Sequence, residues 1–306
     1  MSGQLWTFLI RRSVGAIFFV AIVSIAALVL VRLAPGDATT ELALAHADRA
    51  TIEAARARFG LDRPVLAQVG EWLIGLGRLD LGQSSLYSRP VADLVLERGL
   101  RTAYLGALAL FVATAIGLPL GVVTGSRPHG VAAAIVTPIS IALVACPPIV
   151  GVLALLLLAA TTGWLSTAPG AVLVPTLALS LPLAATLERL QSQATAETLA
   201  APDVAAAAAR GVPPARLVWI HAARQSLRPV LGVYGIVIGT LFSGSLAVET
   251  ITAWPGIGRL MYDALVGRDL FLVAGCALVG AVLIALGNVI ADLIRAVADP
   301  RIREQL

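Results

Sequence analysis

The side chains that carry most enzyme chemistry are scarce in this chain of 306 residues. It has three histidines (His46, His129 and His221), two cysteines (Cys146 and Cys276) and no lysine, so all 22 basic residues are arginine. A phosphate-binding P-loop needs Gly-x-x-x-x-Gly-Lys-Ser/Thr, whose lysine reaches the terminal phosphates. This chain can form neither that loop nor a lysine Schiff base, and any ATP hydrolysis coupled to it takes place on another chain. The cysteines lie inside apolar runs, where a thiol behaves as a small hydrophobe. No metal-spaced cluster is present, nor a Ser/His or Asp pair suited to intramembrane proteolysis. The expectation is no catalytic residue, no disulfide, no metal, no cofactor on this chain and no nucleic-acid partner.

The composition says where such a chain belongs. Hydrophobic residues make up 58% and charged residues 13%, with a mean hydropathy of +0.90. A water-soluble domain carries about 25% charged residues to cover its surface. Most of this surface must therefore face lipid or protein. Disorder, collagen and disulfide scaffolds are excluded, and a polytopic membrane protein remains.

A bilayer core about 30 Å thick takes roughly 20 apolar residues in helical form. Six such runs are present, at 13–31, 102–125, 131–160, 171–187, 229–248 and 271–291. The first is too long for the apolar core of a signal peptide and is followed by further spans. Residues 34–101 differ in character, with eight arginines against nine acids, and read as a small polar domain with helices at 51–59 and 64–77. The expected organisation is a tail and first span at 1–33, an extracytoplasmic domain at 34–101, and a core of five spans at 102–306. That core contains a polar cytoplasmic loop at 188–228.

Orientation follows from arginines close to span ends. The segments 1–12, 126–130, 188–228 and 292–306 hold eleven arginines against six acids; the opposite side holds eleven against twelve. Arg11, Arg12, Arg295, Arg301 and Arg303 flank the first and last spans and place both termini in the cytoplasm.

Charged residues inside membranes mark ion or proton paths, and the assigned cores of spans two to five contain none. Glu249 lies at the outer end of the fifth. Small residues recur at four-residue spacing at Gly117, Gly121 and Gly125 and again at Gly235 and Gly239, which suits close helix packing. Pro147 and Pro148 fall mid-span three and should break or kink it. A broken helix at membrane depth is tolerated where it lines a cavity, so pathway lining and a plain kink are both open readings.

The loop at 188–228 carries the most information. Residues 197–210 are alanine-rich and helix-forming, interrupted by Pro202. Gly211 then ends the helix in the usual C-terminal position. Pro213-Pro214 opens a second helix at 215–227 that bears Arg216 and Arg224. Such a hairpin outside the bilayer suits docking of another protein.

Ala205-Ala206-Ala207-Ala208-Ala209-Arg210-Gly211, followed by His221-Ala222-Ala223-Arg224 and Pro229, resembles the cytoplasmic "EAA" loop of binding-protein-dependent ABC importer permeases of the peptide and nickel type. The likeness continues along the chain. It takes in Leu9-Ile10-Arg11-Arg12, Arg32-Leu33-Ala34-Pro35-Gly36-Asp37, Gly60-Leu61-Asp62-Arg63-Pro64, Asp80-Leu81-Gly82-Gln83-Ser84 and Arg89-Pro90-Val91. Towards the C-terminus it includes Glu249-Thr250, Trp254-Pro255-Gly256-Ile257-Gly258-Arg259 and Asp299-Pro300-Arg301-Ile302-Arg303. Two departures stand out: the motif's glutamate is replaced by Ala205, and the usual Asp-Tyr pair by Pro202-Asp203.

The resemblance implies an all-α fold of six transmembrane helices, that of type I ABC importer permeases, in a bacterial inner membrane. It implies a second homologous permease, two ATP-binding cassette subunits carrying ATP and Mg²⁺, and an extracytoplasmic substrate-binding protein. Ala205, Ala207, Arg210, Gly211, Val212, Pro213, Arg216, His221 and Arg224 become candidates for ATPase coupling. Pro147, Pro148, Gly239 and Glu249 become candidates for the pathway. Asp80, Arg89, Trp254, Pro255 and Gly256 become candidates for the outer gate or the binding-protein contact. The implied solute is a di- or oligopeptide; nickel chelates, glutathione and opines are alternatives, and a membrane sensor or assembly factor that moves nothing is a further one.

Overall fold

The computed structural model describes residues 2–33, 48–50, 53–54 and 64–298. The motifs at 34–37, 60–63 and 299–303 lie outside the described residues, as does all but 53–54 of the helix expected at 51–59. The helices in chain order are α1 (Ser2–Leu33), α2 (Val65–Leu76), α3 (Val91–Ser126), α4 (Val131–Ala145), α5 (Pro148–Thr162), α6 (Leu173–Leu199) and α7 (Pro202–Ala209). After these come α8 (214–231), α9 (Tyr234–Ile251), α10 (Ile257–Val266) and α11 (Leu270–Ala298). Among the described residues the β content is one isolated bridge, Gln83 with Pro90. This is the all-helical solution that lipid requires, since each backbone group must be satisfied within its own segment.

Five helices are long and apolar enough to cross a bilayer: α1, α3, α6, α9 and α11. The run expected as a single span at 131–160 is instead two helices of 15 residues each. α4 and α5 meet at an angle of 112° across Cys146-Pro147. Pro148 has no N–H to donate and supplies the first residue of α5, where that donor would go unused.

The described chain forms two compact units. The first comprises Met1–Phe8, Tyr104–Trp254 and Leu286–Leu306. Its hub is α6, which packs against α4, α5, α8 and α9. Its core includes Leu105, Leu183, Leu187, Val237, Leu241 and Trp254. The expected glycine spacing proves to be an intrachain packing seam. A Cβ on Gly117 would lie 2.5 Å from the Ala184 carbonyl oxygen, and one on Gly121 2.6 Å from both Glu188 O and Gln191 Cβ. One on Gly125 would collide with Ser192 O. α3 and α6 thus approach backbone to backbone. At Gly239, by contrast, a Cβ would meet nothing within 4 Å.

The second unit comprises Leu9–Ala103 and Pro255–Ala285. Leu28, Trp72, Leu81, Val91, Leu260 and Leu272 belong to its core. Its organiser is Asp269. The Oδ1 atom accepts from the Leu272 N–H at 3.1 Å and caps α11; Oδ2 accepts from the Ser84 hydroxyl at 2.6 Å and the Leu86 N–H at 3.0 Å. One buried carboxylate thereby fixes both a helix start and the loop before α3.

Several boundaries differ from expectation, each for a physical reason. α3 has 36 residues, about 54 Å at 1.5 Å per residue, so the segment 91–101 is its first three turns. α6 does not stop at 187 but runs to Leu199. Alanine, leucine and glutamine keep it helical, and it ends just before Pro202. The segment 249–270, between the fifth and sixth expected spans, contains the amphipathic helix α10, started by the Ile257 N–H donating to Thr102 Oγ1 at 2.7 Å.

The packing seam sets a stability prediction. Gly121→Ala should lower the apparent melting temperature of the purified chain in detergent, the overpacking costing about 1–3 kcal/mol. Gly239→Ala should leave it unchanged or raise it, because helix propensity gains without a clash. Thermal unfolding followed by size-exclusion recovery checks both; equal melting of the two variants would refute the seam.

Candidate functional site

The cytoplasmic-loop expectation resolves into α7, a turn, and α8. α7 is capped by a Schellman turn. Gly211 N–H donates to Ala208 O at 2.9 Å, Val212 N–H donates to Ala207 O at 3.3 Å, and Gly211 has φ +82°. That left-handed backbone is open to glycine and costs other residues roughly 1 kcal/mol or more. A Cβ at Gly211 would meet nothing within 4 Å, so backbone conformation alone selects glycine here. Pro213 and Pro214 then fix the entry to α8.

α8 begins as Pro214–Arg216, widens into a π-helical turn at Leu217–Ala222, and continues as Ala223–Leu231. π turns are uncommon and concentrate at functional sites. This one carries His221 and exposes Trp219 and Ile220. Ala205, Arg210, Gly211, Pro213, Arg216 and Arg224 are exposed, while Val212 and His221 are half-buried. Ala207 is buried beside Val204 on the face that holds α7 down. Gln225 Nε2 donates to Asp203 Oδ2 at 2.8 Å and clips α7 to α8. The same hydrogen bond holds the Asp203 carboxyl below its ordinary range.

Beneath the hairpin lies a polar cluster that sequence reasoning missed. Gln191 Nε2 donates to Ser226 Oγ at 2.7 Å and Thr195 Oγ1 at 3.1 Å, and Thr124 Oγ1 donates to Glu188 Oε1 at 2.6 Å. All five side chains are almost fully buried. The cluster joins α3, α6 and α8 through directional bonds in a low-dielectric interior. It also corrects the expectation that spans two to five hold no ionisable group. Glu188 lies about 22 Å along α6, 2% exposed, because α6 continues past 187. The signal was present as Glu188, Gln191 and Thr195 at three- and four-residue spacing, one face of a helix; it was read as loop.

The pathway candidates fall in the same unit. Pro148 lines a groove of about 240 Å³ with Leu179, Leu183, Val237, Thr240 and other residues, none of them charged. Pro147 is the last extended residue before α5. Gly239 is half-buried on α9, and Glu249 is fully buried in the last turn of that helix. Trp254 closes this unit's core, its backbone N–H on Glu249 O at 2.9 Å, so its indole is no surface contact within the chain.

The remaining outer candidates belong to the second unit. Asp80 Oδ1 accepts from the Gly82 N–H at 2.9 Å and shapes the turn before Leu81. Arg89 is exposed, its carbonyl accepting from Ser84 N–H at 3.0 Å. Pro255 and Gly256 lead into α10, with Gly256 at its N-cap. Near them Tyr87 donates to Asp263 Oδ2 at 3.3 Å; burial first, then the Asp263 carboxylate, push the Tyr87 phenol above its ordinary value. Among the described residues no group of three or more His, Cys, Asp or Glu is placed to hold a metal.

Known proteins match this arrangement along most of its length. The family described as binding-protein-dependent transport system inner membrane component matches residues 117–304, and its N-terminal companion matches 5–91. A peptide transport system permease protein of Brucella abortus is 32% identical over 96% of this chain and 98% of its own. The oligopeptide transport system permease protein AppB of Bacillus subtilis is 28% identical over the same shares. The glutathione transport system permease protein GsiC of Pectobacterium atrosepticum is 29% identical over 97% of this chain and 98% of its own. In fold, the chain is similar to one in an inward-facing crystal form of the MetNI methionine ABC transporter. The TM-score is 0.58 at 19% identity, with 67% of this chain and 96% of that one covered. The family match over more than half of the chain and the relative at 32% identity decide the assignment: the chain belongs to the binding-protein-dependent transport system inner membrane components.

Proposed function

We propose that this chain is one of two permease subunits of an ATP-driven importer for di- or oligopeptides. It forms half of the translocation pathway and receives the ATPase stroke through α7 and α8. The observation that carries the reading is the hairpin itself. It is exposed at Arg210, Gly211 and Arg216, yet anchored to α6 through Ser226 and Gln191. A load applied there would pass into α6 and, through Glu188 and Thr124, into α3. The relatives named for peptides and for glutathione, itself a tripeptide, support a short peptide-like solute; nickel chelates and opines are the other solutes to test.

In this reading two ATPase subunits hold ATP and Mg²⁺, a second homologous permease completes the pathway, and an extracytoplasmic binding protein delivers solute. No catalytic step falls on this chain. The termini are cytoplasmic and residues 34–101 are outside, near the binding protein, with Asp80, Arg89, Pro255 and Gly256 among the contacts. The uncharged groove at Pro148 suits a solute that must bind weakly enough to leave, since fixed charge in a low dielectric would hold an ionic peptide too firmly.

Three outcomes test this. Gly211→Val, strained at positive φ, should cut transport per ATP hydrolysed in the reconstituted complex by about tenfold, a shift of ~1.4 kcal/mol, while Gly211→Asn retains most of it. Normal coupling in Gly211→Val would remove the hairpin's role. Glu188→Gln keeps the acceptor for Thr124 but cannot carry a proton, so ATP-driven import should persist, and a pH gradient alone should drive nothing. Loss of import in that variant with normal assembly would point to a proton relay instead. Finally, a cysteine at Ser85, in a variant lacking Cys146 and Cys276, should react with an impermeant thiol reagent from outside the cell; reaction only from the cytoplasm would invert the topology.

A further inference from the structure

In the second unit a groove of about 400 Å³ opens where the C-terminal end of α1 meets that of α10. Its walls are Leu30 and Val31 of α1 and Leu265 and Val266 of α10, joined by Arg268. Leu30, Leu265 and Val266 are exposed. Arg268 is not: its Nη1 is buried and has no hydrogen-bond partner among the described residues. The carboxylates beside it in sequence are committed elsewhere. Asp269 serves Ser84, Leu86 and Leu272, and Asp263 accepts from Tyr87. Arg268 as a whole is half-buried; its guanidinium stays charged at any accessible pH, and shielding one of its donors from water without an acceptor is unfavourable.

The level of the groove identifies the anion. The apolar part of α1 runs Arg12–Leu33, 22 residues, about 33 Å at 1.5 Å per residue, close to the hydrocarbon thickness of a bilayer. Leu30 and Val31 lie in its final turn, where acyl chains give way to phosphates. We propose that this groove binds one anionic glycerophospholipid. Its phosphate pairs with the Arg268 guanidinium, and an acyl chain lies along Leu30, Val31, Leu265 and Val266. The unpaired Arg268 Nη1 selects a net-negative lipid, because a zwitterionic headgroup would bring a second cation towards the guanidinium. The site rests on the membrane insertion of α1 and not on which solute is carried.

The test uses the purified full chain, delipidated in detergent and titrated with phosphatidylglycerol or phosphatidylcholine, with bound lipids counted by native mass spectrometry. Wild type should retain one phosphatidylglycerol about fivefold better than phosphatidylcholine, the factor that one basic residue contributes near an anionic membrane surface. Arg268→Gln should lose that preference and Arg268→Lys should keep most of it. Leu265→Asp, at an exposed position, should supply a carboxylate to Arg268 and displace the lipid. If Arg268→Gln elutes as aggregate, the wild-type, Arg268→Lys and Leu265→Asp results decide. Equal retention of the two lipids by wild type, or undiminished phosphatidylglycerol on a folded Arg268→Gln or Leu265→Asp chain, would overturn the proposal. So would full displacement of phosphatidylglycerol by millimolar inorganic phosphate, which would make this a bare anion site.

Discussion

Helix α6 can lie against α3 only because Gly117, Gly121 and Gly125 carry no side chains. Lipid supplies no hydrophobic force between helices, so association depends on close packing and on hydrogen bonds across the seam. Both are concentrated here. The glycines bring the backbones together, and at the same level Thr124 reaches Glu188. With α3 fixed, α6 becomes the hub on which α4, α5, α8 and α9 pack. It is also the least apolar of the five long helices and the most buried. A helix that faces protein on most sides can carry glutamate and glutamine because Thr124 donates to Glu188 Oε1 and Ser226 accepts from Gln191, although Glu188 Oε2 and Gln191 Oε1 have no hydrogen-bond partner among the described residues.

That hub also anchors the hairpin. α7 and α8 are held by a Schellman turn, the Gln225–Asp203 bond and the Ser226–Gln191 bond. None of these depends on the glutamate that the loop motif usually carries and that Ala205 replaces. Five successive alanines supply helix propensity and small side chains, so the distinctive exposed side chains of the hairpin are Arg210, Arg216, Arg224 and Trp219. Of these, Trp219 lies within the π turn at Leu217–Ala222 and Arg224 follows it.

The second unit shows the same economy with one carboxylate. Asp269 caps α11 while its other oxygen holds the loop at Ser84 and Leu86. Both of its oxygens are engaged in that task, and the neighbouring Arg268 Nη1 has no hydrogen-bond partner among the described residues.

By itself the sequence determined the class of the molecule and the position of its chemistry. Too few charges to cover a soluble surface, six apolar runs and no lysine required a helical membrane protein without its own nucleotide loop. The run from Pro202 through Gly211 to Pro213-Pro214 placed the hairpin, because helix stops and starts are local events governed by backbone N–H groups and φ. The tertiary structure decided what local signals cannot. The span containing Cys146-Pro147 bends by 112°, an angle set by what α4 and α5 pack against, not by the prolines alone. Glu188 became a buried hydrogen-bond acceptor because Thr124, 64 residues away, faces it. Asp269 became an organiser because Ser84, 185 residues away, does the same. A charged residue reads as exposed until the partner that permits its burial is known, and that partner is a matter of fold.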